Sequence, residues 1–391
     1  MTEIVDRPVK TARAQFVRHV LTRNARWLPM VAFFIVVAVG FQVATDGIFL
    51  SPRNITLLMR QCAITAVVAM AVSILIIKGE IDLSIGSAVY LCGTAAATLQ
   101  VHYGFPVVPT ILVTLGIGLL LGLWQGLCTV ALGVPSFVVT LGGLLGFRGL
   151  AYYLTDAATI APLSPSYSAL SEGFVPVPVS LLMLAVAFLV VAALLARSAR
   201  DPETGQHDLT SIAVRIATAA IIFGALAWIF AGYRGIPNAV LWVAACGGVL
   251  WFVMTRTVYG RNAYLIGSNR EAARLAGIDV SKHILFGFLL MGVFYAIAAT
   301  LATARLSAST PAMGQYLELD AIAAAVIGGI SLRGGIGTIP GAILGAALLV
   351  TIDNGMSLLN ISSFIQMIIK ALLLLLAIAA DSALNGKVRH R

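Results

Sequence analysis

Between residues 27 and 380 the chain is a succession of apolar runs, most of them about 20 residues long and nearly free of charge. That is the length a helix needs to cross the hydrocarbon of a bilayer, where every backbone polar group must be satisfied within the segment. The runs fall at about 27–45, 58–77, 83–99, 107–131, 135–154, 178–196, 211–232, 236–254, 283–304, 318–332, 337–352 and 361–380. They predict an all-α integral membrane protein, a polytopic bundle of about 10–12 transmembrane helices. The short runs at 318–332 and 337–352 are interrupted by Gly328-Gly329 and by Arg333-Gly334-Gly335, which predicts broken helices. The count is twelve if both cross and ten if both re-enter.

Composition and charge narrow the class. Of 391 residues 60% are hydrophobic and 10% charged, against about 25% charged in soluble domains. The net charge of +9 does not call for nucleic acid, because of where the lysines and arginines lie. Six of the 25 precede Trp27, three fall between Arg197 and Arg215, five between Arg256 and Lys282, and three after Asp381. Clustering of this kind marks cytoplasmic loops, and anionic membrane lipid suits the tails. The expected organisation is a basic cytoplasmic tail (1–26), one transmembrane domain (27–380) and a second basic cytoplasmic tail (381–391). With both tails and both charged loops inside, the number of spans is even. Thr155 to Val177 has no Lys or Arg and belongs outside. The runs 211–232 and 236–254 form a hairpin turned by Tyr233 to Pro237. The first apolar run exceeds a signal peptide's core and lacks a small-residue cleavage pattern, so no cleaved leader is expected.

Catalytic signatures are absent. No G-x-x-x-x-G-K-[ST] loop is present to cradle ATP phosphates, and no histidine has metal-ligand spacing. Cys62, Cys92, Cys128 and Cys246 sit singly in apolar segments and read as small core residues, with neither a disulfide nor a metal expected. Ionisable groups at membrane depth are functional candidates by default: Glu80, Asp82, Arg148, Glu318, Asp320, Asp353 and Lys370. Asp82 and Asp320 can each cap a broken helix, join helices, or line a solute path. Glu80-Ile81-Asp82-Leu83 before Gly86 echoes Glu318-Leu319-Asp320-Ala321 before Gly328-Gly329, the first placed near the inner face and the second near the outer. Inverted repeats with interrupted helices mark the substrate path in many transporters. Asp353-Asn354-Gly355 reads as a turn on the outer side, and Gly341 to Gly345 (GAILG) as a packing motif. The candidates for the path are Glu80, Asp82, Ser84, Asp320 and Asn354.

The long polar stretch from Thr255 to Lys282 carries local structure signals. Ser268 and Glu271 have capping-box spacing, Arg270 to Ala276 are good helix formers, and Gly277 supplies a left-handed stop. The helix is about two turns long, too short to stand alone in water. It must be held at both ends and pressed against something through a flat surface of Ala272, Ala273, Leu275 and Ala276.

Several segments resemble one family over nearly the whole chain. EIDLSIGS, VPSFVVTLGGLLGFRGL, YGRNAYLIGSNREAARLAGI, ELDAIAAAVIGGISLRGGIGTIPGAILGA and DNGMSLL are similar, in this order, to the sugar permeases of bacterial ATP-binding-cassette importers. The extra segment between Arg197 and Tyr233 and the C-terminal span resemble the xylose-type branch. Departures are mild: Ser268 stands where the family often has a second Gly, and Lys78-Gly79 where two glycines are common. The resemblance implies a homodimeric pore in the bacterial inner membrane, two ATPase subunits beneath it and a periplasmic sugar-binding protein above. ATP and Mg would belong to the ATPase, with no cofactor in this chain. It also implies that the loop 256–282, through Ser268, Asn269, Glu271, Ala272, Ala273 and Gly277, couples the pore to the ATPase. The substrate would be a monosaccharide, D-xylose or another pentose. On the residues alone, a proton-coupled secondary transporter of a small polar solute is the alternative.

Overall fold

The computed structural model describes residues 27–198 and 209–388 and is almost wholly helical. The basic tail 1–26, residues 199–208 of the charged loop and residues 389–391 lie outside the described residues. In chain order the first helices are α1 (Trp27–Ala44), α2 (Pro52–Ile77), α3 (Ile85–Val101), α4 (Val107–Ala131), α5 (Ser136–Thr155), α6 (Pro165–Glu172) and α7 (Val177–Ser198). Then come α8 (Leu209–Gly232), α9 (Asn238–Arg256), α10 (Val258–Ser268), α11 (Arg270–Leu275), α12 (Val280–Leu306), α13 (Leu317–Ile327), α14 (Ile339–Leu358) and α15 (Ser363–Val388). Two short strands, β1 (Phe174–Val175) and β2 (Ile236–Pro237), pair antiparallel and tie the start of α7 to the start of α9.

Eight of these helices, α2, α4, α5, α7, α8, α9, α12 and α14, are long and apolar enough to cross a membrane, and shorter apolar stretches lie in α1, α3 and α15. They divide by burial. The apolar window of α2 is 83% buried and those of α12 and α14 are 67% buried, whereas α7 has 6% and α8 none. A helix that is apolar all round is buried among others, and α2 fits: every residue from Thr65 to Lys78 is in the core. Ser51 caps its start by accepting from Asn54 N–H, and Pro52 occupies the first turn, where no N–H is needed. Around α2 and α12 pack α3, α4, α6 and α14, while α8 packs chiefly on α7. Large apolar side chains such as Leu189, Ile221 and Phe364 stand outward, the surface expected against lipid.

α12 sets the scale of the bundle. Its 27 residues span about 40 Å. One end, at Asp279, joins α11. At the other, Ser307 O accepts from Leu163 N–H at 3.0 Å, beside α6. The segment read as a loop, Thr155 to Val177, thus contains a helix: Ser164 caps α6 and Tyr167 is fully buried.

Three expectations need correction. α13 has 11 residues, about 16 Å of helix, against the roughly 30 Å of a hydrocarbon core. It stops at Gly328 because Gly329 turns left-handed (φ +84°). The run 337–352, by contrast, becomes the full-length α14, so neither two crossings nor two re-entrant segments describes the pair. α13 also runs toward the α11 end of the bundle. The loop that follows it donates from Gly335 N–H to Ile77 O at 2.8 Å, at the end of α2. Glu318 and Asp320 therefore lie partway along the bundle's depth and not at the opposite face. Finally, Asp353-Asn354-Gly355 is no turn. Asn354 is buried inside α14, exchanging side-chain bonds of 2.8 and 3.2 Å with Asn54 of α2. The packing expectation for GAILG holds: a Cβ on Gly345 would overlap Ala324 O, and one on Gly341 would overlap Gly328 O.

Candidate coupling and translocation site

At the α11 end the chain leaves α9, turns at Thr257 and enters α10, whose first turn is capped by the Thr257 hydroxyl. Ser268 is the last residue of α10, and its hydroxyl donates back to Tyr264 O at 2.8 Å. It therefore cannot cap the next helix. Asn269 does so: its backbone is extended (φ −158°) and its Oδ1 accepts from Ala272 N–H at 3.0 Å. The capping box predicted for Ser268 and Glu271 is absent, and Glu271 instead pairs with Arg274 at 3.7 Å. Gly277 closes the helix with φ +80°, the conformation a residue without Cβ adopts freely. Ala273 faces inward and is buried, which removes it from the expected flat surface. Glu271, Ala272, Leu275 and Ala276 are exposed, Leu275 at 84%. Asp279 caps α12 at 3.0 Å, and that backbone bond from Lys282, with the lysine's ammonium beside it, holds its carboxyl below the usual range.

Behind this surface two polar side chains, Glu80 and Lys78, meet the loop from the end of α2. Arg270, the first residue of α11, forms an ion pair with Glu80, whose side chain is 6% exposed. Lys78 is fully buried, and its Nζ donates to Tyr259 Oη at 2.9 Å and to His283 O at 2.8 Å. The Tyr259 ring stacks on His283 with centroids 5.1 Å apart, and burial pushes its phenol pKa upward. Tyr264 Oη donates to Gly337 O at 2.8 Å, which fixes the loop after α13 to α10.

Residues 79–84 then run without helical structure into α3 and carry the polar centre of the bundle. Asp82 Oδ1 accepts from Ser84 N–H at 2.8 Å and from Ser84 Oγ at 2.7 Å. Gln125 of α4 donates to Ser84 Oγ at 2.5 Å. The hydroxyl of Tyr295, on α12, bonds Asp82 Oδ2 and also lies 2.9 Å from Gln125 Oε1. Asp82, Ser84 and Gln125 have no exposed surface, and neither has Tyr295. Just beyond, the backbones of Gly86 and Gly314 touch so closely that a Cβ on either would overlap the other's carbonyl. The Glu318 carboxyl lies against Gly86 at the same crossing. Arg148 of α5 reaches the same crossing, donating to Ser87 Oγ at 3.3 Å and to Met313 O at 3.4 Å.

Of the five path candidates, only Asp82 and Ser84 come together. Glu80 belongs to the α11 contact. Asp320 meets Lys370 at 3.2 Å, and Lys370 also reaches Asp353 at 2.8 Å, so this cluster joins α13, α14 and α15. Asn354 joins α14 to α2. Arg270 and Tyr295 escaped the sequence reading. Nothing local distinguishes Arg270 from other loop cations, and Tyr295 lies in an apolar run without a polar neighbour.

The arrangement offers an exposed short helix at one end, tied by an ion pair to a non-helical segment that feeds a buried polar junction between α3, α4 and α12. Comparison with known proteins matches the chain over most of its length. A family model described as "Branched-chain amino acid transport system / permease component" matches residues 54–378. The xylose transport system permease protein XylH of Escherichia coli (strain K12) is 41% identical over 366 residues, 92% of each chain. XylH of Haemophilus influenzae is 39% identical over 365 residues, covering 93% of this chain and 97% of its own. The ribose import permease protein RbsC of Haemophilus influenzae is 31% identical over 357 residues, 91% of this chain and 93% of its own. No solved structure matches the chain.

Proposed function

The chain belongs to the family of branched-chain amino acid transport system permease components, and from that premise we propose that it carries D-xylose inward through an ATP-binding-cassette importer. It is a transport subunit and not an enzyme: hydrolysis belongs to separate ATPase subunits, which hold ATP and Mg, and a periplasmic binding protein delivers the sugar. The observation that carries the substrate is the 41% identity to a xylose permease over 92% of both chains, against 31% to a ribose permease.

The working unit in this reading is a homodimer in the inner membrane, with α11 and both termini on the cytoplasmic side. α11 suits a coupling helix because Glu271, Ala272, Leu275 and Ala276 are exposed at one end of the bundle while Ala273 and Asn269 anchor it. ATP binding by the ATPase pair displaces α11, and the helices around the Asp82 junction tilt from one access state to the other. The junction's groups are all partnered within the chain, which suits a path of low intrinsic affinity, with selection left to the binding protein.

A strain lacking this gene tests the substrate through binding-protein-dependent uptake of labelled xylose, ribose, arabinose and galactose. Xylose uptake should be lost and restored by the gene in trans. Undiminished xylose uptake beside loss of another sugar overturns the substrate and leaves the importer standing.

A further inference from the structure

The α11 helix touches the body of the bundle in three ways, one of them the buried Ala273 on its inner face. Its ends continue into α10 and α12 through the chain itself. Its first residue, Arg270, also reaches sideways to Glu80, 190 residues away. The two partners differ in surroundings: the Arg270 side chain is 43% exposed and that of Glu80 only 6%. A buried carboxylate without its cation is strongly unfavourable, so the pair holds as α11 moves.

What Glu80 is attached to makes the contact consequential. Gly79 is left-handed (φ +80°), and residues 79–84 have no helical ladder. Its first two residues hang from α2 by backbone bonds, Gly79 N–H to Ile76 O at 2.9 Å and Glu80 N–H to Leu75 O at 3.0 Å, and beyond them the anchors to other helices are made by side chains. The Ile81 N–H donates to Ser136 Oγ at 3.3 Å, and Thr140 Oγ1 donates to Ile81 O at 3.2 Å, both from α5. Asp82 and Ser84 are held by Gln125 of α4 and Tyr295 of α12. Two residues later Gly86 meets Gly314 and Glu318. Six residues therefore link α2, α3, α4, α5 and α12, and α11 grips them through one ion pair. By contrast, the neighbouring joint is backbone on backbone: Gly335 N–H bonds Ile77 O, and a Cβ on Gly267 would overlap that same oxygen. Packed joints of that kind resist small displacements. Residues 81–84 beside it are held to α4, α5 and α12 through side-chain bonds.

We propose that the Arg270–Glu80 ion pair is the pin through which α11 transmits its displacement to residues 79–84. Arg270 and Glu80 are then positioning residues for transport, and Glu80 does not contact the sugar. The inference rests on the importer reading, with α11 as the coupling helix.

The test uses the full complex in proteoliposomes: this chain, its ATPase subunits and the xylose-loaded binding protein. The readouts are co-purification of the ATPase, and the ratio of stimulated to unstimulated ATP hydrolysis. Glu80→Gln removes the charge without leaving a bare buried carboxylate, and Arg270→Gln removes the exposed partner. Each should keep the ATPase bound and lower the stimulation ratio about tenfold. The double variant should be no worse than either single, because one interaction is lost in all three. Arg270→Lys should retain most of the stimulation, which a merely steric role for the arginine would not explain. Ratios within about twofold of the unsubstituted complex in both singles overturn the pin, as does a double whose loss is the product of the two. Loss of membrane insertion or of ATPase binding in both singles assigns the pair to folding and overturns it as well. Failure of the unsubstituted complex to bind the ATPase or respond to the loaded binding protein defeats the importer reading itself.

Discussion

Asp82 shows how a single buried carboxyl is tolerated in this bundle. Its two oxygens accept from Ser84 N–H, Ser84 Oγ and Tyr295 Oη, and none of these groups reaches solvent. A buried acceptor left without its donor loses about 1–3 kcal/mol, more when charged. Tyr295→Phe should therefore lower stability by at least that amount, read as a drop in Tm of the purified protein in detergent. Adding Asp82→Asn to Tyr295→Phe should recover part of the loss, since the buried carboxyl oxygen that lost its donor goes. An unchanged Tm for Tyr295→Phe removes the tyrosine from the network. Little of this junction was legible in advance. Asp82 and Ser84 stood out as polar groups beside apolar runs. Tyr295 did not, because its meaning comes from a contact 213 residues away.

At the scale of elements, α11 turns on which residue caps it. A six-residue helix has almost no intrinsic stability, so one cap is a large share of what holds it. Asn269→Ala should cost about 1 kcal/mol of helix stability, read as faster amide exchange across 270–276 and weaker co-purification with the ATPase. Ser268→Ala should change neither, since that hydroxyl serves the preceding helix. The reverse ranking would restore the capping box. Sequence spacing favoured Ser268 and Glu271. Where α10 ended decided otherwise, because a residue still inside one helix cannot cap the next. The same logic separates α13 from α14. Both apolar runs contain glycine interruptions, yet one stops at a left-handed Gly329, and the other continues through Asn354 because Asn54 stands opposite to pair with it.

For the whole molecule, the two ends of α12 lie about 40 Å apart, with α11 at one and α6 at the other. Ser281 and Ser166 are exposed at these opposite ends. Single cysteines there, in a background without Cys62, Cys92, Cys128 and Cys246, should react with an impermeant thiol reagent from opposite sides of the membrane. Ser281 should react from the cytoplasm. Labelling of both from one side overturns the orientation, and with it α11 as the face that meets an ATPase.

The apolar runs by themselves determined that this chain is a membrane-spanning helical bundle. The reason is thermodynamic and local: a run of about 20 apolar residues satisfies its backbone and its environment without reference to the rest of the chain. Local chemistry likewise marked the α11 stretch, with Gly277 as its stop. Tertiary structure alone decided which charges belong together. Glu80 could pair with Lys78, two residues away, but Lys78 is taken by Tyr259 and the His283 carbonyl, and Glu80 by Arg270. Asp320 could cap a helix, but Lys370 lies within reach on α15. Such choices depend on which side chains of distant helices arrive at the same depth. A pattern of hydrophobicity encodes that an element crosses the membrane, and it leaves the element's neighbours unspecified.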